Sequence, residues 1–263
     1  SVKMVLEAVD LGDDPIDDTI RQRRALMSQA DAFEAVHVPT TLDLLEPARD
    51  RFRYQEAFVL QTILALRRKA MAASDATARP GSDDGLARAI EQRLPFALTE
   101  GQQNAVAEIR GDLARPALMQ RLLHGEVGAG KTLVALLAMA TVVDSGGQAV
   151  LLAPTEVLAA QHHASISALL GELGEAGTLL GGSTGTQVVL LTGSASAAAR
   201  REALLKIVSG EAGIVVGTHA LLNEAVQFAD LGLVVVDEQH RFGVEQRAAL
   251  LERGSGASRP HLL

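Results

Sequence analysis

The sequence predicts an α/β domain with a mostly parallel sheet that helices cover on both faces, preceded by an α-helical region. From Leu86 onward, apolar runs of strand length alternate with longer stretches of helical composition. That alternation is typical of parallel sheets whose strands are joined by crossover helices. Between Val9 and about residue 70 the chain shows no strand pattern, which indicates the helical region.

Two helices are predicted in the N-terminal region. The first has helical composition over residues 17–37 and ends before Pro39. The second begins near Pro47, because proline suits the first position of a helix. Its apolar residues recur at a spacing that keeps them on one face, formed by Phe52, Val59, Ile63 and Leu66.

Residues 71–85 predict a mobile linker between the helical region and the α/β domain. The segment is small and polar and contains Pro80 and two glycines, a composition typical of loops and linkers. We therefore expect a helical linker region over residues 1–84 and the α/β domain over residues 85–263.

Five apolar runs predict the strands of the α/β domain. The first precedes a glycine-rich loop and contains Leu118, Met119, Leu122 and Leu123. The other predicted strands cover residues 149–153, 188–191, 214–217 and 233–236. The predicted helices cover residues 102–113, 133–143, 156–170 and 197–209, so that helices separate successive strands as a parallel sheet requires.

The glycine-rich loop is the strongest functional signal in the chain. Gly125, Gly130, Lys131 and Thr132 have the spacing of a phosphate-binding loop, between a predicted strand and a predicted helix. Glycines let the backbone wrap around a polyphosphate, so that N–H groups and the helix N-terminus point at negative charge. Lys131 would reach the outer phosphates, and the Thr132 hydroxyl would bind Mg²⁺. The expected nucleotide-binding residues are Gly125, Glu126, Val127, Gly128, Ala129, Gly130, Lys131 and Thr132.

A pair of acidic residues follows the last of these predicted strands. The apolar run 233–236 reads as a buried strand that ends at Asp237 and Glu238. Open α/β sheets bind their ligands at the carboxyl ends of strands. There Asp237 can hold Mg²⁺, and Glu238 can orient and deprotonate an attacking water. An acidic helix cap is the structural alternative.

Composition limits the compartment and the partners. The 263 residues are 48% hydrophobic and contain no cysteine, which excludes disulfides and favours a cytoplasmic location. No apolar run reaches the roughly 18 residues of a membrane span, so no membrane partner is expected. The net charge of −8 argues against a stand-alone nucleic-acid binder. Ser1 in place of an initiating methionine suggests a piece of a longer protein.

Several motifs together resemble the first RecA-like domain of superfamily-two helicases. They are Phe96 with Leu98–Gln102, the phosphate-binding loop, Ala153–Glu156, Val216–Leu222 and the box at Asp237–His240. Extension of the box through Arg241-Phe242-Gly243-Val244 is similar to the RecG family of helicases that remodel branched DNA. The N-terminal third resembles that family's helical connection between a wedge domain and the motor, through Phe33, His37-Val38-Pro39 and residues 53–58.

The resemblance implies further roles by position. Gln102 would read the adenine edge and Phe96 would stack near it. Lys131 and Glu238 would be catalytic, while Thr132 and Asp237 would hold the metal ion. Coupling between nucleotide state and the rest of the motor would fall to Gln239, His240 and Arg241. Thr155 and Thr218 would contact DNA phosphates, although both also stand where helix caps belong.

The resulting prediction is an ATP- and Mg²⁺-dependent motor domain of a helicase that acts on branched DNA. The chain stops inside the apolar strand that begins near Pro260, so the second RecA-like domain and the wedge domain are expected to be absent. Weak ATP binding and poor hydrolysis would follow. The alternatives are a translocase like the transcription-repair coupling factor, whose box usually has Glu at position 239, and an inactive P-loop adaptor. A GTPase is disfavoured because neither Asn104 nor Asn223 is followed by lysine.

Overall fold

The computed structural model describes residues 4–5, 8–9, 12–72, 76–175, 185–238 and 259–263. The chain divides into two compact units, Ser1–Ala70 and Met71–Leu263. The division falls at the start of the predicted linker rather than after residue 84. None of the described helices is both long and apolar enough to cross a membrane.

The first unit is helical, as the sequence predicts. Helix α1 covers Asp18–Arg24, α2 covers Gln29–His37, and α3 covers Leu45–Ala72 after a short 3-10 turn. The predicted helix over residues 17–37 is therefore two helices. Helix α1 ends before Ala25, whose φ of 52° is left-handed. Ser28 then caps the start of α2, where its side chain accepts a hydrogen bond from the Asp31 N–H.

Helix α3 differs from its prediction in two respects. It begins at Leu45, so Pro47 lies at its third position, still within the first turn where a missing N–H costs nothing. Phe52 packs against the small core of this unit. By contrast, Val59, Ile63 and Leu66 are between 41% and 61% exposed. The helical spacing correctly predicts that these side chains share one face of the helix, but it does not determine whether that face is buried.

A buried arginine connects separate segments of the first unit. The Arg51 side chain is fully buried and donates to the Met27 carbonyl at 3.0 Å, to Gln55 Oε1 at 2.7 Å and to the Asp14 carboxylate. Burial of Asp14 favours its neutral form. Backbone hydrogen bonds from Ile16 and Gln29, with the charge of Arg51, outweigh that burial and lower the pKa of Asp14.

The second unit has the predicted α/β architecture. In chain order its elements are α4 (Leu86–Arg93), α5 (Glu100–Leu113), α6 (Lys131–Asp144), β1 (Gln148–Leu152), α7 (Glu156–Leu170), β2 (Gln187–Leu191), α8 (Ala197–Val208), β3 (Ala212–Gly217), β4 (Leu231–Val236) and β5 (His261–Leu262). The other four predicted strands and the four predicted helices agree with these bounds to within two residues at each end, whereas residues 118–123 do not form one of these strands and α4 was not predicted.

The five strands within the described residues are parallel, in the order β2-β3-β1-β4-β5. Leu152 at the end of β1 pairs with both Gly217 and Val236, so the strands end at one common edge. The segment predicted as the first strand lies beside β5, where Gln120 forms a single parallel bridge with Leu262. The fold class predicted from the sequence is confirmed.

Helices cover both faces of the sheet. One core cluster contains most of α6 with parts of α4, α5 and α7, and the other lies beneath α8. Every residue of α6 from Leu133 to Val142 is buried. This burial explains why the helix has no polar face: it lies between the sheet and the helices α4 and α5.

Residues 76–85 are not the predicted mobile linker. Arg79 is buried and forms an ion pair with Asp230 at 2.6 Å. The backbone N–H groups of Leu86 and Ala87, at the start of α4, donate to the Asp144 carboxylate. These bonds attach the segment to the second unit. Their partners lie far along the chain, which is why local composition suggested a linker.

Candidate nucleotide-binding site

The glycine-rich loop leads directly into α6. Gly128 and Gly130 have φ values of 84° and 79°, a region that other residues rarely adopt. A Cβ at Gly130 would also lie 2.4 Å from Gln102 Nε2. Helix α6 begins at Lys131, so the first N–H groups of the helix have no intrahelical acceptor and are available to an anion.

The Lys131 side chain forms hydrogen bonds with the backbone of its own loop. Its Nζ donates to the carbonyl oxygens of Gly125 and Glu126, both at 2.9 Å. The ammonium group therefore lies over the loop, where a phosphate group would have to approach. Thr132 follows on the first turn of α6 and lines the same cleft.

Asp237 faces this loop from the end of β4. Its backbone N–H donates to the Leu152 carbonyl at 3.0 Å, which fixes its position at the sheet edge. Its Oδ2 lies 2.8 Å from Nε2 of His162 on α7. The hydrogen bond from His162 lowers the pKa of Asp237 against the opposing effect of burial, and the positive charge of Lys131 lowers it further. The carboxylate is therefore charged at neutral pH, as a metal ligand must be.

Glu238 is the next residue and is exposed. Its φ is 51°, in the left-handed region that a non-glycine residue enters at a cost of order 1 kcal/mol. Outliers of this kind concentrate at functional sites because the surrounding structure has to maintain them. The turn directs the two acidic side chains to different surroundings, since Asp237 is half-buried.

These groups line one cleft of about 580 Å³. The predicted site residues that line it are Gly125, Val127, Lys131, Thr132, Asp237 and Glu238, and His162 lies among them. Apolar residues also line it, including Leu151 of β1, Val235 of β4 and Leu263 directly after β5. The structure thus brings the phosphate-binding loop and the acidic pair together, although more than a hundred residues separate them in the sequence.

The side-chain amide of Gln102 forms two hydrogen bonds within the protein that the sequence did not predict. Its Oε1 accepts from the Thr99 N–H at 3.0 Å, completing a capping box at the start of α5. Its Nε2 donates to the Ala129 carbonyl at 2.9 Å. Gln102 therefore connects α5 to the phosphate-binding loop, and both ends of its amide are engaged.

Phe96 does not join the nucleotide cleft. Within the part of the chain that the structure describes, it lines a separate groove beside Leu94, Leu98 and Val106, and its side chain is 54% exposed. Stacking on an adenine base thus stays a prediction from the resemblance. The coupling residues Gln239, His240 and Arg241 lie outside the described residues.

The two threonines predicted to contact DNA differ sharply in exposure. Thr155 is exposed, and its Oγ1 accepts from the Leu158 N–H at 3.2 Å as the cap of α7. Thr218 is only 1% exposed, and its Oγ1 has no hydrogen-bond partner among the described residues. In this conformation the Thr218 hydroxyl is shielded from a DNA strand, so its predicted contact has no support here.

Two contacts at this sheet edge are not predicted from the sequence. Glu156 accepts from both the backbone N–H and the hydroxyl of Ser194, at 3.0 and 2.5 Å, and these bonds lower its pKa. His162 reaches Asp237 across 75 positions of sequence. The order of elements could have signalled both, because residues after neighbouring parallel strands converge at one edge. The side-chain partners themselves could not be read from sequence.

A phosphate-binding loop at the start of a helix, opposite an Asp-Glu pair that ends a parallel strand, defines a RecA-like P-loop nucleotide-binding domain. Comparison with protein families identifies the particular family. Residues 99–259 match the model of the DEAD/DEAH box helicases, and the chain belongs to that family.

The chain is also similar to RecG helicases over its length. It is 46% identical to the ATP-dependent DNA helicase RecG of Mycobacterium tuberculosis (strain ATCC 25618 / H37Rv) over 100% of this chain and 36% of that protein. The Bacillus subtilis (strain 168) relative of the same name is 40% identical over 92% of this chain and 34% of that protein. A solved structure of RecG bound to a three-way DNA junction matches the whole chain with a TM-score of 0.77 and 32% identity, covering 34% of that structure's chain. The chain thus spans about a third of the length of the relatives it matches.

Proposed function

We propose that this chain is the ATP-binding motor domain of a DNA helicase that remodels branched DNA. One observation carries the proposal: Lys131 and Thr132 share a cleft with Asp237 and Glu238. The intact set argues against an inactive adaptor. The similarity to RecG proteins, one of them solved on a three-way DNA junction, supports branched DNA as the substrate.

The donor set in the cleft fits a magnesium-nucleotide complex. Mg²⁺ prefers oxygen ligands and takes several of them from water and substrate phosphates. Asp237 and the Thr132 hydroxyl supply protein oxygens, and both residues line the cleft. When bound, the metal ion would neutralise charge on the phosphates. Lys131 would exchange the carbonyls of Gly125 and Glu126 for phosphate oxygens, which keeps its ammonium group fully bonded.

Glu238 is the proposed general base. It lines the cleft and is exposed, so water has access to it, and its backbone is left-handed. A glutamate in this place can accept a proton from the attacking water while the loop holds the phosphates. Gln239, His240 and Arg241 remain the proposed link between this step and the rest of the motor.

The proposed DNA track runs along the edge where the parallel strands end. Thr155 is exposed there and is the better candidate, whereas the burial of Thr218 requires a local rearrangement before it could touch a strand. With a net charge of −8, this domain would add little nonspecific grip. We propose that a second RecA-like domain and a wedge domain, outside this chain, supply most of it.

Alone, the chain should bind ATP weakly and hydrolyse it poorly. In related phosphate chemistry an arginine supplied from outside the domain accelerates the reaction by ~10³–10⁵-fold. We propose that the second motor domain supplies that arginine when DNA closes the two domains around the nucleotide. Such an enzyme would work in the cytoplasm, where chromosomal DNA lies.

The experiment is ATP hydrolysis by the complete gene product as a function of three-way or four-way DNA concentration. Stimulation several-fold above the DNA-free rate is expected, with loss of all turnover in Lys131→Ala. Thr155→Ala should reduce the stimulation. Ser28→Ala removes a comparable helix cap in the first unit and should not. A wild-type rate that is indifferent to DNA would overturn the helicase assignment.

A further inference from the structure

We propose that His162 is a positioning residue that orients the Asp237 carboxylate toward the Mg²⁺ of bound nucleotide. This inference rests on the proposed function and adds a residue to the same site. It begins from the 2.8 Å contact between His162 Nε2 and Asp237 Oδ2. Because an ionised carboxylate only accepts hydrogen bonds, Nε2 is the donor.

The contact restricts the one freedom that Asp237 retains. Its backbone is already held by the bond to the Leu152 carbonyl, so the side chain can still rotate. The bond from His162 fixes Oδ2, and a carboxylate offers about four lone-pair directions in all. The Glu238 N–H also bonds this carboxylate, so two of these directions are taken and others remain for a metal ion. Asp237 lines the same cleft as Lys131 and Thr132. A hydrogen bond of this kind orients metal-binding carboxylates and tunes their affinity.

His162 can serve this purpose because its own position is well determined. The imidazole is only 17% exposed, so water competes weakly for the bond. The helix that carries it is anchored at its start, where Glu156 accepts two hydrogen bonds from Ser194. A site held by a packed helix is placed more accurately than one on a loop.

The neighbouring residue provides a matched control. His163 is on the same helix and is partly buried, like His162. It does not line the cleft in the part of the chain that the structure describes. Replacement of either histidine removes a side chain of the same size. Of the two, only His162 forms a hydrogen bond with Asp237.

The test is binding of a fluorescent ATP analogue to the 263-residue chain as Mg²⁺ is titrated, with binding in excess EDTA measured in parallel. In His162→Leu the half-saturating Mg²⁺ concentration should rise about 10- to 100-fold. This is the usual loss of metal affinity when a residue that hydrogen-bonds to a metal ligand is removed. Binding in EDTA should not change. His162→Gln, whose amide can place a donor near Nε2, should recover most of the Mg²⁺ response, and His163→Leu should match wild type.

Each other outcome has a definite meaning. A Mg²⁺ response in His162→Leu within twofold of wild type overturns the inference and leaves the proposed function intact. An equal loss of binding with and without Mg²⁺, unrecovered in His162→Gln, also overturns it, because His162 would then be required only for folding. Absence of any nucleotide binding by wild type would overturn the proposed function itself.

Discussion

Gln102 donates a hydrogen bond from its side-chain amide to the carbonyl oxygen of Ala129, at 2.9 Å. The bond joins the first turn of α5 to the phosphate-binding loop, and the same amide accepts from Thr99. A residue predicted to select the base is thus also a support of the loop that holds the phosphates. The two roles make different predictions.

Replacement of Gln102 separates these roles. Gln102→Glu keeps the shape but puts an acceptor opposite the Ala129 carbonyl, and loss of one hydrogen bond costs about 0.5–1.5 kcal/mol. If support of the loop dominates, affinity for ATP and GTP should fall together by about 2- to 10-fold, since 1.4 kcal/mol is a factor of ten. Competition binding with both nucleotides measures this. Gln103→Ala, whose amide donates to the Leu98 carbonyl instead, is the control. A loss confined to ATP would assign Gln102 to base recognition.

Glu238→Gln should separate binding from hydrolysis. The amide keeps the size and the left-handed turn but cannot accept a proton. We expect unchanged ATP affinity in the complete gene product and a single-turnover hydrolysis rate at least ~10² lower, the usual share of a general base. Glu224→Gln, at an exposed position beyond the His219–Leu222 turn, should hydrolyse ATP normally. Normal hydrolysis by Glu238→Gln would assign the base elsewhere.

Arg51 should be the most sensitive charged residue of the first unit. Arg51→Met removes the partner of the partly buried Asp14, and breaking a buried pair from one side costs about 3–5 kcal/mol. Arg53 lies on the same helix with its ion pairs exposed, so Arg53→Ala should cost no more than about 1 kcal/mol. Tyr54 is the only tyrosine and the chain has no tryptophan, so its fluorescence during urea unfolding reports this unit. Equal losses in the two variants would contradict the prediction.

Acid should destabilise the first unit through Asp14. Burial alone would raise the pKa of Asp14, but its backbone hydrogen bonds and the charge of Arg51 lower this pKa below the ordinary value for an aspartate. A carboxyl whose pKa is lower when folded adds stability above its unfolded pKa and loses it as pH falls through the folded value. The urea concentration at the unfolding midpoint, measured by Tyr54 fluorescence, should therefore decrease as the pH is lowered below about 4. In Asp14→Asn it should start lower and depend less on pH. An identical pH dependence in this variant would exclude Asp14 as the source.

The sequence by itself determined the parts of this protein that depend on local pattern. Buried parallel strands must be continuously apolar because both faces are covered, so 149–153, 214–217 and 233–236 were recognisable as runs. The phosphate-binding loop was also local, since φ above zero at Gly128 and Gly130 needs glycine. The Asp-Glu pair followed from its place directly after a buried strand.

Only the tertiary structure decided which groups meet and which stay exposed. The hydrogen bond between His162 and Asp237 and the ion pair between Arg79 and Asp230 each join positions that are far apart in the chain. The burial of Thr218 likewise depends on the packing of the folded chain. The exposure of Val59, Ile63 and Leu66 is the converse case, where a regular apolar spacing did not specify a partner surface. Hydrogen bonds and burial act over a few ångströms in space, so a contact made across 75 or 151 positions leaves no local pattern to read.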